Sequence, residues 1–166
     1  LKDADLVIEA IFEDMNIKKD LFKDLNDICD QKTVFASNTS SFSISELGSS
    51  IDRDDKFIGI HFFYHPAKNR LLEIIPSKDT SENTISLANV FSGMIGKTAI
   101  HVSDSPGFAV NRFFVPWLNE ATRILEEGIA NIPTIDDTAK KVFKVPMGPF
   151  ELMNVTGIPI AYHSTI

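Results

Sequence analysis

His61 and Glu73 are the two side chains whose types and surroundings best suit proton transfer. His61 closes the apolar run Phe57-Ile58-Gly59-Ile60, and Glu73 is embedded in Leu71-Leu72-Glu73-Ile74-Ile75. A carboxylate at an otherwise apolar strand position is costly to bury without a partner. A carboxylate on one ring nitrogen of a histidine fixes its tautomer and makes the other nitrogen a better base. The blander alternative is a Glu73 facing solvent on an edge strand beside a satisfied core histidine, because structural ion pairs are common.

The elements around the pair decide between these readings. The loop between the two runs, which holds His65, Pro66, Lys68, Asn69 and Arg70, is short, and that predicts an antiparallel return with His61 opposite Glu73. Upstream, Asp5 to Phe12 reads as a strand apolar on both faces, hence parallel and covered on both sides. Ile17, Leu21, Phe22, Leu25 and Ile28 fall at helical spacing between Asp14 and Asp30. Thr33 to Ser37 is a second strand, broken by Asn38-Thr39-Ser40-Ser41. A short helix follows, for which Ser43 and Glu46 form a capping box. Strand, helix, strand, helix, strand is the alternation of a doubly wound parallel sheet. Ser81 to Ile95 is a further helix and Thr98 to Val102 a last strand.

Texture changes at Asp104-Ser105-Pro106-Gly107, and no strand signal follows. Val110, Phe113, Phe114, Trp117, Leu118, Ala121, Ile124 and Leu125 describe a long amphipathic helix that Gly128 stops. Thr134 with Asp137 opens a shorter helix through Val142, and Pro149 starts a third near Phe150 to Met153. The Pro-Gly junction therefore divides an α/β half, residues 1–104, from an all-helical half, residues 105–166.

Ligands of such sheets bind beyond the carboxyl ends of the strands. Glu13 and Asp14 follow the first strand, Asn38 to Ser41 the second and His61 the third, with Asn111 just past the junction. Each has a plain structural reading as a helix-start acid, a turn residue or a polar group in a first helical turn. Their convergence on one sheet edge favours a site. A hydrolase with Ser40 as nucleophile lacks the Gly-x-Ser-x-Gly elbow. Metal binding by His61 and His65 lacks a third ligand. His101 and His163 have no neighbour suggesting a role.

The totals narrow the class. The chain has 166 residues and a formal charge of −7, which argues against a nucleic-acid partner. No apolar run approaches a membrane span. The single cysteine, Cys29, excludes an internal disulfide and fits a reducing compartment. The chain opens without methionine and without a charged-then-apolar leader, and runs almost at once into a strand, as expected of a piece of something longer.

Five ordered blocks carry a resemblance over essentially the whole chain. They are Ala36-Ser37-Asn38-Thr39-Ser40-Ser41, Gly59-Ile60-His61-Phe62-Phe63, Leu72-Glu73-Ile74-Ile75, Pro106 to Arg112 and Pro146-Met147-Gly148-Pro149-Phe150-Glu151. Together they resemble the L-3-hydroxyacyl-CoA dehydrogenase family of fatty-acid β-oxidation and butanoate pathways. The resemblance implies the C-terminal half of a Rossmann-type NAD-binding domain followed by the start of a helical domain that carries a homodimer contact. It implies NAD as cofactor and an acyl-CoA as substrate. His61 then looks like the base that takes the 3-hydroxyl proton and Glu73 like its orienting carboxylate. Ser40 and Asn111 look like the residues that hold the substrate against the cofactor, and Glu13, Lys18 and Ser40 like cofactor contacts.

Two departures qualify the resemblance. Family members commonly continue His-Phe-Phe with Asn-Pro, whereas Tyr64-His65-Pro66 stands here, which implies a subgroup with a different cofactor-side loop. No Gly-x-Gly-x-x-Gly turn occurs in the sequence, so the 166 residues alone are expected to bind NAD poorly and to turn over slowly or not at all. The alternative function is a non-catalytic, crystallin-like protein that keeps the fold for binding or structure.

Overall fold

The apolar runs upstream of the Pro-Gly junction pair into a single sheet in the computed structural model, which describes residues 1–158. Its strands are β1 (Leu6–Glu9), β2 (Val34–Ser37), β3 (Phe57–Phe62), β4 (Leu71–Pro76) and β5 (Thr98–His101), in that spatial order. β1, β2 and β3 are mutually parallel, β4 returns antiparallel to β3, and β5 is parallel to β4. The return is antiparallel because a loop of this length cannot hold the crossover a parallel neighbour needs. Helices α1 (Met15–Ile28), α2 (Ile44–Gly48) and α3 (Glu82–Met94) lie in the remaining connections.

Both faces of the sheet are covered. Phe22 and Leu25 of α1 and Ile44 and Leu47 of α2 pack on Phe35, Phe57 and Ile75 on one face. On the other, Ala88 of α3 packs on Ala36, Ile58, Ile60, Leu72 and Ile74. Each large apolar side chain buried this way contributes about 1.5–3 kcal/mol, enough in sum to offset a few buried polar groups at the strand ends.

Gly59 sets how closely α2 approaches. A Cβ there would lie 2.8 Å from Ile44 Cδ1 and 2.9 Å from Ile75 Cβ. The Ile75 Cβ is fixed by its own strand and cannot swing away. Gly59→Ala is therefore expected to destabilise the protein by about 1–3 kcal/mol through overpacking, measured as a lower urea midpoint at unchanged slope.

The short α2 is held less by its own cap than by Asp104. Ser43 accepts the Glu46 N–H as anticipated, but the Glu46 carboxylate pairs with Lys19 at 2.7 Å. Asp104 accepts the N–H groups of Ile44 and Ser45 and the Ser43 hydroxyl at 2.8–2.9 Å. Burial would raise its carboxyl, but the donors from Ser45, Ile44 and Ser43 together hold it below the ordinary carboxylate value.

By its contacts the chain divides into two compact units, Leu1–Phe108 and Ala109–Ile166. The first extends past the Asp104 break seen in sequence because Asp104 clamps α2 and Phe108 is part of the core beneath it. The second unit holds α4 (Val110–Glu126), α5 (Ile132–Phe143) and α6 (Pro149–Thr156). Gly128, with φ +68°, follows the end of α4. α5 starts earlier than Thr134: Asn131 caps it by accepting the Thr134 N–H, and Pro133 occupies the first turn. Gly148 in the Pro146–Glu151 block has a steric cause, since a Cβ there would sit 2.4 Å from Asp136 Cβ. That closeness lets the Asp136 carboxylate accept the Phe150 and Glu151 N–H groups at the start of α6. His163 lies outside the described residues.

Candidate active site

Register builds the first part of the site. His61 and Glu73 are directly paired across β3 and β4, so their side chains leave the sheet on the same face. The face is the one that carries α1 and α2, because Ile60 and Ile74 beside them point to the α3 side. His61 Nδ1 lies 2.7 Å from Glu73 Oε2, with the Glu73 side chain 0% and that of His61 8% exposed. The ring is flanked by Phe63 and Phe108 at 4.6 and 5.8 Å between centroids. With a carboxylate on Nδ1, that nitrogen carries the proton and Nε2 is left as the basic position. The solvent-facing reading of Glu73 is thereby excluded.

The strand end that carries His61 is tied to its neighbour. Asn38, just past β2, accepts the Phe62 N–H on its Oδ1 at 2.8 Å. The following loop is pinned from β5's side by Lys97, whose ammonium donates to the carbonyls of Pro66 and Asn69 and lies over the Phe62 ring. Tyr64, at the position where the sequence departs from its resemblance, is exposed, with its ring against His65.

A second polar cluster forms where β1 and β2 end. Glu13 accepts from Thr39 Oγ1 at 2.5 Å, the Ser40 N–H at 3.0 Å and the Ser40 and Ser41 hydroxyls at 3.4 and 3.3 Å. Lys18 Nζ stands 3.1 Å from the other Glu13 oxygen. Glu13 and Ser40, distant in sequence, are thus brought together, and Glu13 retains 37% side-chain exposure. Lys18, which the resemblance places among the cofactor contacts, is only 1% exposed and pairs with Glu13. Asp14 is the N-cap of α1, its carboxylate accepting from Asn16 and Ile17, as the plain reading had it. Asn111 lies in the first turn of α4, in the second unit.

Burial would raise the Glu13 carboxyl. The Thr39 hydroxyl, the Lys18 ammonium and the Ser40 N–H outweigh it and hold the group below its ordinary 4.5. A carboxyl whose folded value is depressed contributes stability above the unfolded value and loses it as pH falls through the folded one. Wild type and Glu13→Gln should therefore differ by a constant increment in urea stability at neutral pH and converge only below pH 4.5. Convergence completed above that pH would show that the turn is not held by the ionised carboxylate.

Three contributors escaped the sequence reading: Glu9, Asn38 as a strand tie, and Asp104. Glu9 is 3% exposed on β1. The signal for it was present, since Glu9 interrupts an apolar strand just as Glu73 does.

Comparison with known proteins follows the same division. A family model described as 3-hydroxyacyl-CoA dehydrogenase, NAD binding domain, matches residues 1–105, and one described as 3-hydroxyacyl-CoA dehydrogenase, C-terminal domain, matches residues 107–165. The 3-hydroxybutyryl-CoA dehydrogenase of Clostridioides difficile is 46% identical over 96% of this chain and 57% of its own length. The mitochondrial hydroxyacyl-coenzyme A dehydrogenase of Homo sapiens is 42% identical over 93% of this chain and 49% of its own length. The crystal structure of (S)-3-hydroxybutyryl-CoA dehydrogenase from Ralstonia eutropha superposes with a TM-score of 0.92 at 37% identity, covering 98% of this chain and 58% of that one. The chain thus spans about half the length of the curated relatives it matches.

Proposed function

The chain belongs to the 3-hydroxyacyl-CoA dehydrogenase family, and from that premise we propose that it carries the proton-transfer half of an NAD-dependent oxidation of (S)-3-hydroxyacyl-CoA to 3-oxoacyl-CoA. The observation that carries this reading is the buried contact of His61 Nδ1 with Glu73 at 2.7 Å. His61 accepts the substrate 3-hydroxyl proton on Nε2. Glu73 keeps Nδ1 protonated throughout and stabilises the imidazolium that forms. Bound NAD supplies the hydride acceptor. Glu13, exposed beyond β1, and Ser40, half-buried beyond β2, are the groups of this chain suited to the cofactor, since a carboxylate and a hydroxyl match ribose hydroxyls. Ser40 would help hold the substrate, and the resemblance gives Asn111 the same role.

The substrate class rests on the relatives' names, and a place in β-oxidation or butanoate metabolism rests on the family resemblance alone. A homodimer of the full-length protein draws support from the exposed Phe113, Val142 and Phe143 of the second unit. No helix among the described residues is long and apolar enough to cross a membrane. The cytoplasm, or the mitochondrial matrix in a eukaryote, is the compartment we propose.

The test is reduction of acetoacetyl-CoA by NADH, followed at 166 residues and in the full-length polypeptide. Turnover is expected from the full-length polypeptide. Its absence there, with the fold intact, would remove the dehydrogenase reading.

A further inference from the structure

We propose that Glu9 is a positioning residue of the cofactor-side cluster, acting through Lys18 and Ser37 to hold Glu13 and the Ser40 turn in place. The proposal rests on the cofactor reading above and adds a residue to it. Glu9 sits at the carboxyl end of β1 with a fully buried carboxylate. Its Oε1 accepts the Ile11 N–H at 2.8 Å and the Lys18 ammonium at 2.5 Å, and its Oε2 accepts the Ser37 hydroxyl at 2.6 Å. It therefore grips the segment leading to Glu13, the helix after it and the last residue of β2.

Two routes lead from Glu9 to Ser40. Along the first, Lys18 spans Glu9 and Glu13, and Glu13 accepts the Ser40 N–H. An ammonium has three N–H bonds. Glu9, Glu13 and the Ile11 carbonyl at 3.4 Å use all three. Along the second, the Ser37 hydroxyl that donates to Glu9 accepts the Thr39 N–H at 3.2 Å, and Thr39 donates to Glu13. Both routes converge on the Glu13 carboxylate.

Charge explains why two carboxylates are needed. A buried cation facing Glu13 alone would draw that carboxylate inward, away from the Thr39 and Ser40 donors. Glu9 takes up the cation from below, so Glu13 can face the turn and stay part-exposed. Glu9→Gln keeps the shape but removes this counter-charge.

The test is NADH binding by the full-length protein, with Glu9→Gln in the wild-type and Glu13→Gln backgrounds. In the wild-type background affinity should fall about tenfold, the scale of one charge-assisted hydrogen bond, while kcat stays within about twofold. In the Glu13→Gln background Glu9→Gln should cost no further affinity, because its route to the cofactor is already cut. Additive losses, or unchanged affinity, would overturn the proposal; a general loss of packing would not respect the background. Should Glu9→Gln fail to fold, Ser37→Ala severs one route only and is expected to give a smaller loss with the same non-additivity. Amide exchange over Thr39–Ser41 reads the positioning without the cofactor and should quicken in Glu9→Gln. A wild type that binds no NADH would sink the cofactor reading alone, and an unchanged exchange rate would sink the positioning role alone.

Discussion

His61→Gln in the full-length protein is expected to lower kcat for acetoacetyl-CoA reduction by about 10²–10⁴, the usual contribution of a positioned general acid or base, with KM for both substrates nearly unchanged. The substitution is chosen for what it preserves. Glutamine is close to histidine in reach, and its amide N–H can still donate to Glu73, which is 0% exposed and needs a donor. His61→Leu would instead take a donor away from a buried carboxylate, so its activity loss would mix lost stability with lost chemistry. An amide can neither take a proton from the hydroxyl nor, in the direction assayed, give one to the ketone oxygen, so only the chemical step should suffer. Steady-state kinetics with NADH decide it: a kcat that survives in the folded variant would mean that another group moves the proton.

How much of this is legible in the sequence depends on how far apart the partners lie. The antiparallel return of β4 followed from one short loop, and from it the facing of His61 and Glu73, because a directly opposed pair in a two-residue period can only share a face. The helical face of α1 is legible in part: Phe22 and Leu25 are buried as the spacing predicts, whereas Ile17 and Ile28 of the same series are exposed. Asp104 was not legible as the clamp of α2, since it reaches Ile44 across a separation of 60 residues and no local pattern marks that meeting. Glu9 fell between these cases. Its strand reads as apolar on both faces, which hides the physical question of where a carboxylate in such a strand finds its protons. The same question, asked of Glu73, leads to His61. At α5 the error was local: Thr134 with Asp137 imitates a cap, whereas Asn131 with Pro133 in the first turn is the cap that forms.

The second large effect concerns the carboxylate. Glu73→Gln should reduce kcat on the order of 10²–10⁴ even though the base itself is untouched. The carboxylate can only accept, so it demands a proton on Nδ1 and leaves Nε2 free to act. A glutamine amide at the same place can donate instead. If its N–H points at Nδ1, the ring proton moves to Nε2 and the lone pair that should take the hydroxyl proton is gone. Even with the amide oxygen turned toward the ring, no negative charge remains to stabilise the imidazolium. Stability should move the other way or hardly at all, because a neutral amide against a neutral ring avoids burying an ion. Kinetics and urea midpoint measured on the same variant therefore separate the two roles of Glu73. A variant that loses rate while keeping its midpoint marks the carboxylate as the group that orients His61. One that loses stability while keeping its rate marks the pair as a structural contact, and the proton must then be sought elsewhere on the strand ends.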